Sequence, residues 1–174
     1  MENDSTKTEV FSWIKSLMAV VVLVIVCRQF LFTPVTVNGG SMSPTFHHND
    51  RVMVMKMSEI EHFDMIVFKA PTSSDKHIKR VIGMAGDRLK VMNDQLYIND
   101  ALVEEPYLNE NKASSPFTLT EDFEVVVPED CLFVMGDNRL HSGDSRMYGF
   151  VPEDDVFGEV KVRFYPLSGV GLPE

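Results

Sequence analysis

Arg88-Leu89-Lys90-Val91-Met92-Asn93-Asp94-Gln95-Leu96-Tyr97-Ile98-Asn99-Asp100-Ala101-Leu102-Val103 holds three short runs separated by two Asn-Asp pairs. Asn and Asp tolerate the left-handed backbone of tight hairpin turns, so this spacing predicts strands over 88–91, 95–98 and 101–103. The same pattern extends in both directions. Residues 35–37 (Val-Thr-Val), 51–55, 65–68 and 78–82 precede it, the last ended by Gly83. Residues 123–127 and 131–135 flank Pro128-Glu129-Asp130, and 156–164 closes the series. No stretch after residue 40 sustains a 3.6-residue period. Short strands at turn-punctuated intervals predict a mainly β domain of barrel or folded-sheet type. Residues 109–116 (Asn-Glu-Asn-Lys-Ala-Ser-Ser-Pro) read as the loosest loop.

A length of 174 residues suits one domain, or one domain with an appendage. The formal net charge is −10 and no basic stripe offsets it. That excludes nucleic acid as a partner, because phosphate binding needs clustered Lys and Arg. The acidity reads as solubility. Cys27 and Cys131 stand far apart, in an apolar and a polar region, so neither an internal disulfide nor a zinc spacing is expected.

Residues 11–32 are apolar apart from Lys15, Ser16, Arg28 and Gln29. As a helix they reach about 33 Å, close to the ~30 Å hydrocarbon core, provided Lys15 and Arg28 extend toward the interfaces. Trp13 at one end and Phe30 and Phe32 at the other suit interfacial positions. A cleavable leader is the competing reading, with Val37 and Gly39 as small residues at −3 and −1. Its apolar core ends well before that site, and Pro34 intervenes, so an uncleaved anchor is favoured. Lys7 and Lys15 before the span, against Arg28 after it, lean toward an N-terminus inside.

Two residue types carry the candidate chemistry. Ser41 follows Gly39-Gly40, which permit close approach of a substrate backbone, and its own N–H is a candidate oxyanion donor. A serine nucleophile needs a base. Lys79 lies in the apolar run Ile78-Lys79-Arg80-Val81-Ile82, where burial would disfavour the ammonium and lower its pKa. Strand alternation puts Lys79 on one face and an exposed Arg80 on the other. Histidine offers a rival base: His47 and His48 lie near Ser41, and His141 sits beside Ser142 and Asp144. A metal set of His47, His48, His62 and His77 is also conceivable, without diagnostic spacing. Gly136-Asp137-Asn138-Arg139-Leu140-His141-Ser142-Gly143-Asp144-Ser145-Arg146 is the densest polar cluster. It breaks the EF-hand pattern at Arg139, and its two acids and two arginines suggest charges paired within the loop.

Together these pieces resemble bacterial type I signal peptidase, from the anchor to about residue 165. The motifs are Gly40-Ser41-Met42-x-Pro44-Thr45; Lys79-Arg80-Val81-Ile82-Gly83 with Gly86-Asp87; and Gly136-Asp137-Asn138-Arg139 with Ser142, Asp144-Ser145-Arg146 and Gly149-Phe150-Val151-Pro152. The resemblance implies a β-rich catalytic domain of folded antiparallel sheets, preceded by one N-terminal transmembrane helix. It implies Ser41 as nucleophile, Lys79 as general base and Ser142 as the serine that orients the lysine. Asp144 and Arg146 correspond to a structural ion pair, with Asp137 and Arg139 in the same scaffold. Val37, Met42, Phe46 and Ile78 are implied to line the pocket for a small −1 residue. Gly39 replaces a serine that in some members supplies the second oxyanion donor, and Leu140-His141 replaces a polar pair.

The compact, Gram-positive-like form and its topology imply three parts: 1–10 cytoplasmic, 11–32 in the membrane and 33–174 extracytoplasmic. Implied partners are preproteins bearing signal peptides and membrane lipid, with Phe30, Leu31, Phe32 and Phe46 facing the latter. The chain is expected to act as a monomer without a cofactor or metal. A membrane-tethered paralogue that binds signal peptides without cleaving them is the alternative. A self-cleaving Ser–Lys repressor is disfavoured, since it needs a DNA-binding domain and no span.

Overall fold

The fold follows from where the hairpin turns fall, as a computed structural model describes it for residues 2–72 and 75–171. Met1 and residues 172–174, the ends of the expected first and last parts, lie outside the described residues, as does the Cys27 side chain. Asn93, Asp94, Asn99 and Asp100 all have positive φ, between 51° and 66°. That geometry matches the strand twist, and it folds β5 (Arg88–Met92), β6 (Gln95–Ile98) and β7 (Ala101–Val103) into a meander. β8 (Phe123–Val126) pairs with the other edge of β5, giving a four-stranded sheet in the order β7-β6-β5-β8.

The larger sheet has seven strands in the order β1-β2-β11-β3-β4-β9-β10. They are β1 (Phe32–Thr36), β2 (Arg51–Met55), β3 (Met65–Lys69), β4 (Lys76–Gly83), β9 (Cys131–Met135), β10 (Val151–Pro152) and β11 (Val156–Tyr165). Every pairing in both sheets is antiparallel. β1 begins earlier than its β-branched residues suggest. It takes in Pro34 because an edge strand tolerates a missing N–H. The sheets meet where β4 ends. A Cβ on Gly83 would stand 2.6 Å from Leu89 Cδ1, so glycine is what lets β5 pack across this point. Ile82, Leu89, Leu96, Val127, Phe133 and Met135 fill that junction.

Helix α1 (Glu2–Phe30) stops just before β1, so Phe32, expected at the end of the span, belongs to the sheet. Its segment Phe11–Phe30 is long and apolar enough to cross a membrane. Most of the loose loop expected over 109–116 is instead α2 (Asn109–Ser114), entered from a turn of 3-10 helix, Pro106–Leu108. Tertiary hydrogen bonds secure it: the Asn111 amide donates to Ser43 O (3.1 Å) and Asp137 O (2.8 Å). A last short helix, α3 (Ser145–Tyr148), is capped by Asp144, whose carboxylate accepts from the Arg146 N–H.

Candidate active site

Ser41 sits in the connection between β1 and β2. Gly39 opens it with φ +89°, a backbone that side chains rarely adopt. The connection is held from outside by Asn138, whose N–H donates to Ser41 O and whose amide donates to Gly40 O, both at 3.0 Å. β4 brings Lys79 to the same place. Lys79 is only 3% exposed, and its Nζ lies 2.5 Å from Ser41 Oγ. Burial lowers its pKa to about 8 and Arg146 pushes the same way, while Asp144 and Asp137 pull it back up. A lysine of that kind is largely neutral in mildly alkaline solution and can accept a proton from the hydroxyl it touches.

Arg80 corrects the alternation argument. It is not exposed but 3% accessible, because β4 is covered on both faces. Its guanidinium makes a two-pronged pair with Asp137, Nε to Oδ1 at 2.9 Å and Nη2 to Oδ2 at 2.8 Å. Thr45 Oγ1 donates to the same carboxylate at 2.5 Å, tying the Ser41 connection to it. Arg139 also looks outside its own loop. It donates to Glu105 (2.5 Å) and Thr120 (3.1 Å) beside Tyr107. The expectation of charges paired within residues 136–146 therefore holds for one pair only. Asp144 binds Arg146 through two contacts of 2.8 Å and also accepts from the Gly136 N–H. Burial alone would raise the Asp144 pKa, but Arg146 and that N–H hold it below the ordinary carboxylate range. Arg80, Glu105, Tyr107, Asn111 and Asn138 escaped the sequence reading as site residues, since each acts through a partner remote in the chain.

Ser142 lies against the dyad, but its buried hydroxyl makes no bond to Lys79 and instead helps hold down the pKa of Asp144. The packing there is tight: a Cβ on Gly136 would fall 2.2 Å from Ser142 Oγ and 2.4 Å from Ser41 O. Val37, Met42 and Ile78 line a cavity of about 330 Å³ with Gly39, Ser41 and Lys79. Phe46 does not. The Phe46 N–H bonds back to Met42 O, which turns the ring into the core beneath Val37 and Met42, where it is fully buried. It therefore faces neither the cavity nor lipid.

Gly39 offers no side-chain donor, and its N–H is already given to His48 Nδ1 at 3.2 Å. The Ser41 N–H makes no hydrogen bond among the described residues, so it is available to donate into the cavity. The histidines disperse. His62 pairs with Asp87, and His141, on the cavity wall, approaches Asn138 rather than Ser41 or an aspartate. Burial and then Lys79 lower the pKa of His77. Among the described residues no three His, Cys, Asp or Glu side chains converge as metal ligands.

A family model described as "Signal peptidase, peptidase S26" matches residues 10–165. The chain belongs to the signal peptidase family. It is 39% identical to signal peptidase I of Bacillus amyloliquefaciens, over 97% of this chain and 95% of that one. Signal peptidase I S of Bacillus subtilis is 42% identical over 96% and 95%. Signal peptidase IB of Staphylococcus aureus is 37% identical over 93% of each. The crystal structure of a signal peptidase I from Enterococcus faecalis superposes with a TM-score of 0.57 at 35% identity, covering 59% of this chain and 97% of that chain. A mainly β architecture of curled antiparallel sheets is thus shared with the family, as is its compact, Gram-positive-type sequence.

Proposed function

We propose that this signal peptidase family member cleaves N-terminal signal peptides from exported preproteins, with Ser41 as nucleophile and Lys79 as general base. One observation carries the assignment: a buried lysine amine 2.5 Å from a serine hydroxyl at the edge of an open cavity. The neutral Lys79 amine takes the Ser41 proton as Oγ bonds to the scissile carbonyl carbon. The Ser41 N–H receives the oxyanion. The C–N bond then breaks, the Lys79 ammonium gives its proton to the departing amine, and an ester to Ser41 remains. Water, deprotonated by Lys79, hydrolyses that ester.

The sheet edges suit an extended peptide. β1 is the outer strand of its sheet, and β4 pairs with β9 only from Arg80 onward, leaving 76–79 unpaired on that side. A substrate strand fits between these two edges by main-chain hydrogen bonding. Val37, Met42 and Ile78 limit the depth available to its −1 side chain, which favours a small residue.

In this reading α1 is a single anchor, with residues 1–10 cytoplasmic and the domain from residue 33 outside, working as a monomer. Phe30 and Phe32 are exposed where the helix enters the sheet, beside Met57 at the end of β2. These side chains, rather than Phe46, meet lipid. Ser41→Ala and Lys79→Met are each expected to abolish precursor cleavage by the purified protein while the fold, read by circular dichroism, persists. Full activity in either variant overturns the dyad. The contact between Ser41 and Lys79 disfavours a paralogue that only binds signal peptides.

A further inference from the structure

A second and larger groove, of about 660 Å³, lies on the other side of the loop that borders the catalytic cavity. We infer that this groove, between residues 118–125 and 139–147, receives the first residues of the mature chain beyond the bond that Ser41 attacks. The inference rests on the proteolytic reading above.

The partition between cavity and groove is a single chain segment, a turn of 3-10 helix over Arg139–His141 followed by extended Ser142. His141 and Gly143 border the cavity and Leu140 and Ser142 border the groove, with the Ser142 hydroxyl turned inward against Gly136. The dyad lies against this partition, because the Gly136 position touches Ser142 Oγ and Ser41 O together. A preprotein is one continuous chain. With its signal segment held between β1 and the start of β4, the residues after the scissile bond must leave past Ser41, and the loop sets their path.

The groove has the chemistry of a peptide channel. Leu119, Val125 and Phe133 contribute apolar wall, and Leu140 and Met147 extend it, Met147 being 79% exposed. Its volume falls within the range of ligand clefts. Arg139 and Arg146 also line it, but each is paired with a buried carboxylate, Glu105 and Asp144. Glu124 is answered by Arg88 and Lys90 at 3.8 and 4.0 Å, so the exposed acids Glu121 and Asp122 set the sign of the rim. A mature segment with basic or uncharged side chains complements that rim, and an acidic one is repelled.

The test uses the purified full-length chain in detergent. Three peptide substrates share one sequence through the scissile bond and differ only at mature positions two to five, carrying Lys, Gln or Glu. At low salt, kcat/KM for the Lys peptide is expected to exceed that for the Glu peptide by roughly three- to tenfold. The gap narrows at about 0.5 M salt through screening. The double variant E121K/D122K inverts the order, and Met147→Ser raises KM for all three peptides with kcat unchanged. Equal cleavage of the three by wild type, matched by E121K/D122K, overturns the inference and leaves the peptidase reading standing. No cleavage of any peptide sinks that reading, and this inference with it.

Discussion

Lys79 is held in a state that costs the fold something. Its pKa falls from 10.5 to about 8, so between those values the unfolded chain binds more protons than the native one. Stability from this group therefore rises with pH across that window and is lowest below it, where the buried ammonium is charged. Lys79→Met removes a desolvated cation and keeps an apolar side chain of similar length. We expect it to be more stable than wild type at pH 7 by on the order of 1–3 kcal/mol, with the gap closing above pH 10. Urea titration across pH measures this; a destabilised Lys79→Met at pH 7 would show that the ammonium is better compensated than its surroundings imply. Ser41 and Lys79 were both legible as candidates by residue type. Their contact was not, because 38 positions separate them and only the turn after β1 and the burial of β4 bring them together. Arg80 misled for a related reason: alternation assigns faces, but not whether a second layer covers each one.

At the scale of elements, hairpin chemistry was the most readable feature, since Asn93-Asp94 and Asn99-Asp100 require only local backbone to act. α2 was not readable, because a helix this short has little stability of its own and forms through contacts made elsewhere. Asn111 supplies them, linking α2 to the connection that bears Ser41 and to the loop that bears Asp137. Asn111→Ala leaves two carbonyls without that donor. It is expected to lower stability by about 1–3 kcal/mol and to reduce kcat, with hydrogen exchange rising in residues 109–114. Unchanged exchange and unchanged kcat would detach α2 from the site. The Glu105–Arg139 and Arg80–Asp137 pairs are the same kind of link, and no local pattern announces them.

Across the whole molecule, the site is assembled on core that also ties β1, β2, β11 and β3 of the large sheet together. Phe46 is the clearest case, packed with Val37, Met42, Val52 and Val160 directly under the Ser41 connection. Phe46→Ser is expected to cost about 3–5 kcal/mol and to lower cleavage of detergent-solubilised peptides and of membrane-embedded precursors alike. Loss confined to membrane-embedded precursors would instead place the ring at the lipid surface. The anchor, the strand series and the three motifs were visible in the sequence. The junction at Gly83, the orientation of Phe46 and the groove beside residues 139–147 come only from how the sheets close on each other.

The proposed mechanism requires Lys79 to be a buried, partly neutral base in contact with Ser41. The titration of Lys79 itself, followed by carbon NMR of the labelled Cε in the intact protein, tests this most directly. The expected pKa is about 8, matching the acid limb of kcat/KM for precursor cleavage. A lysine titrating near 10.5, with an acid limb that follows some other group, would contradict it.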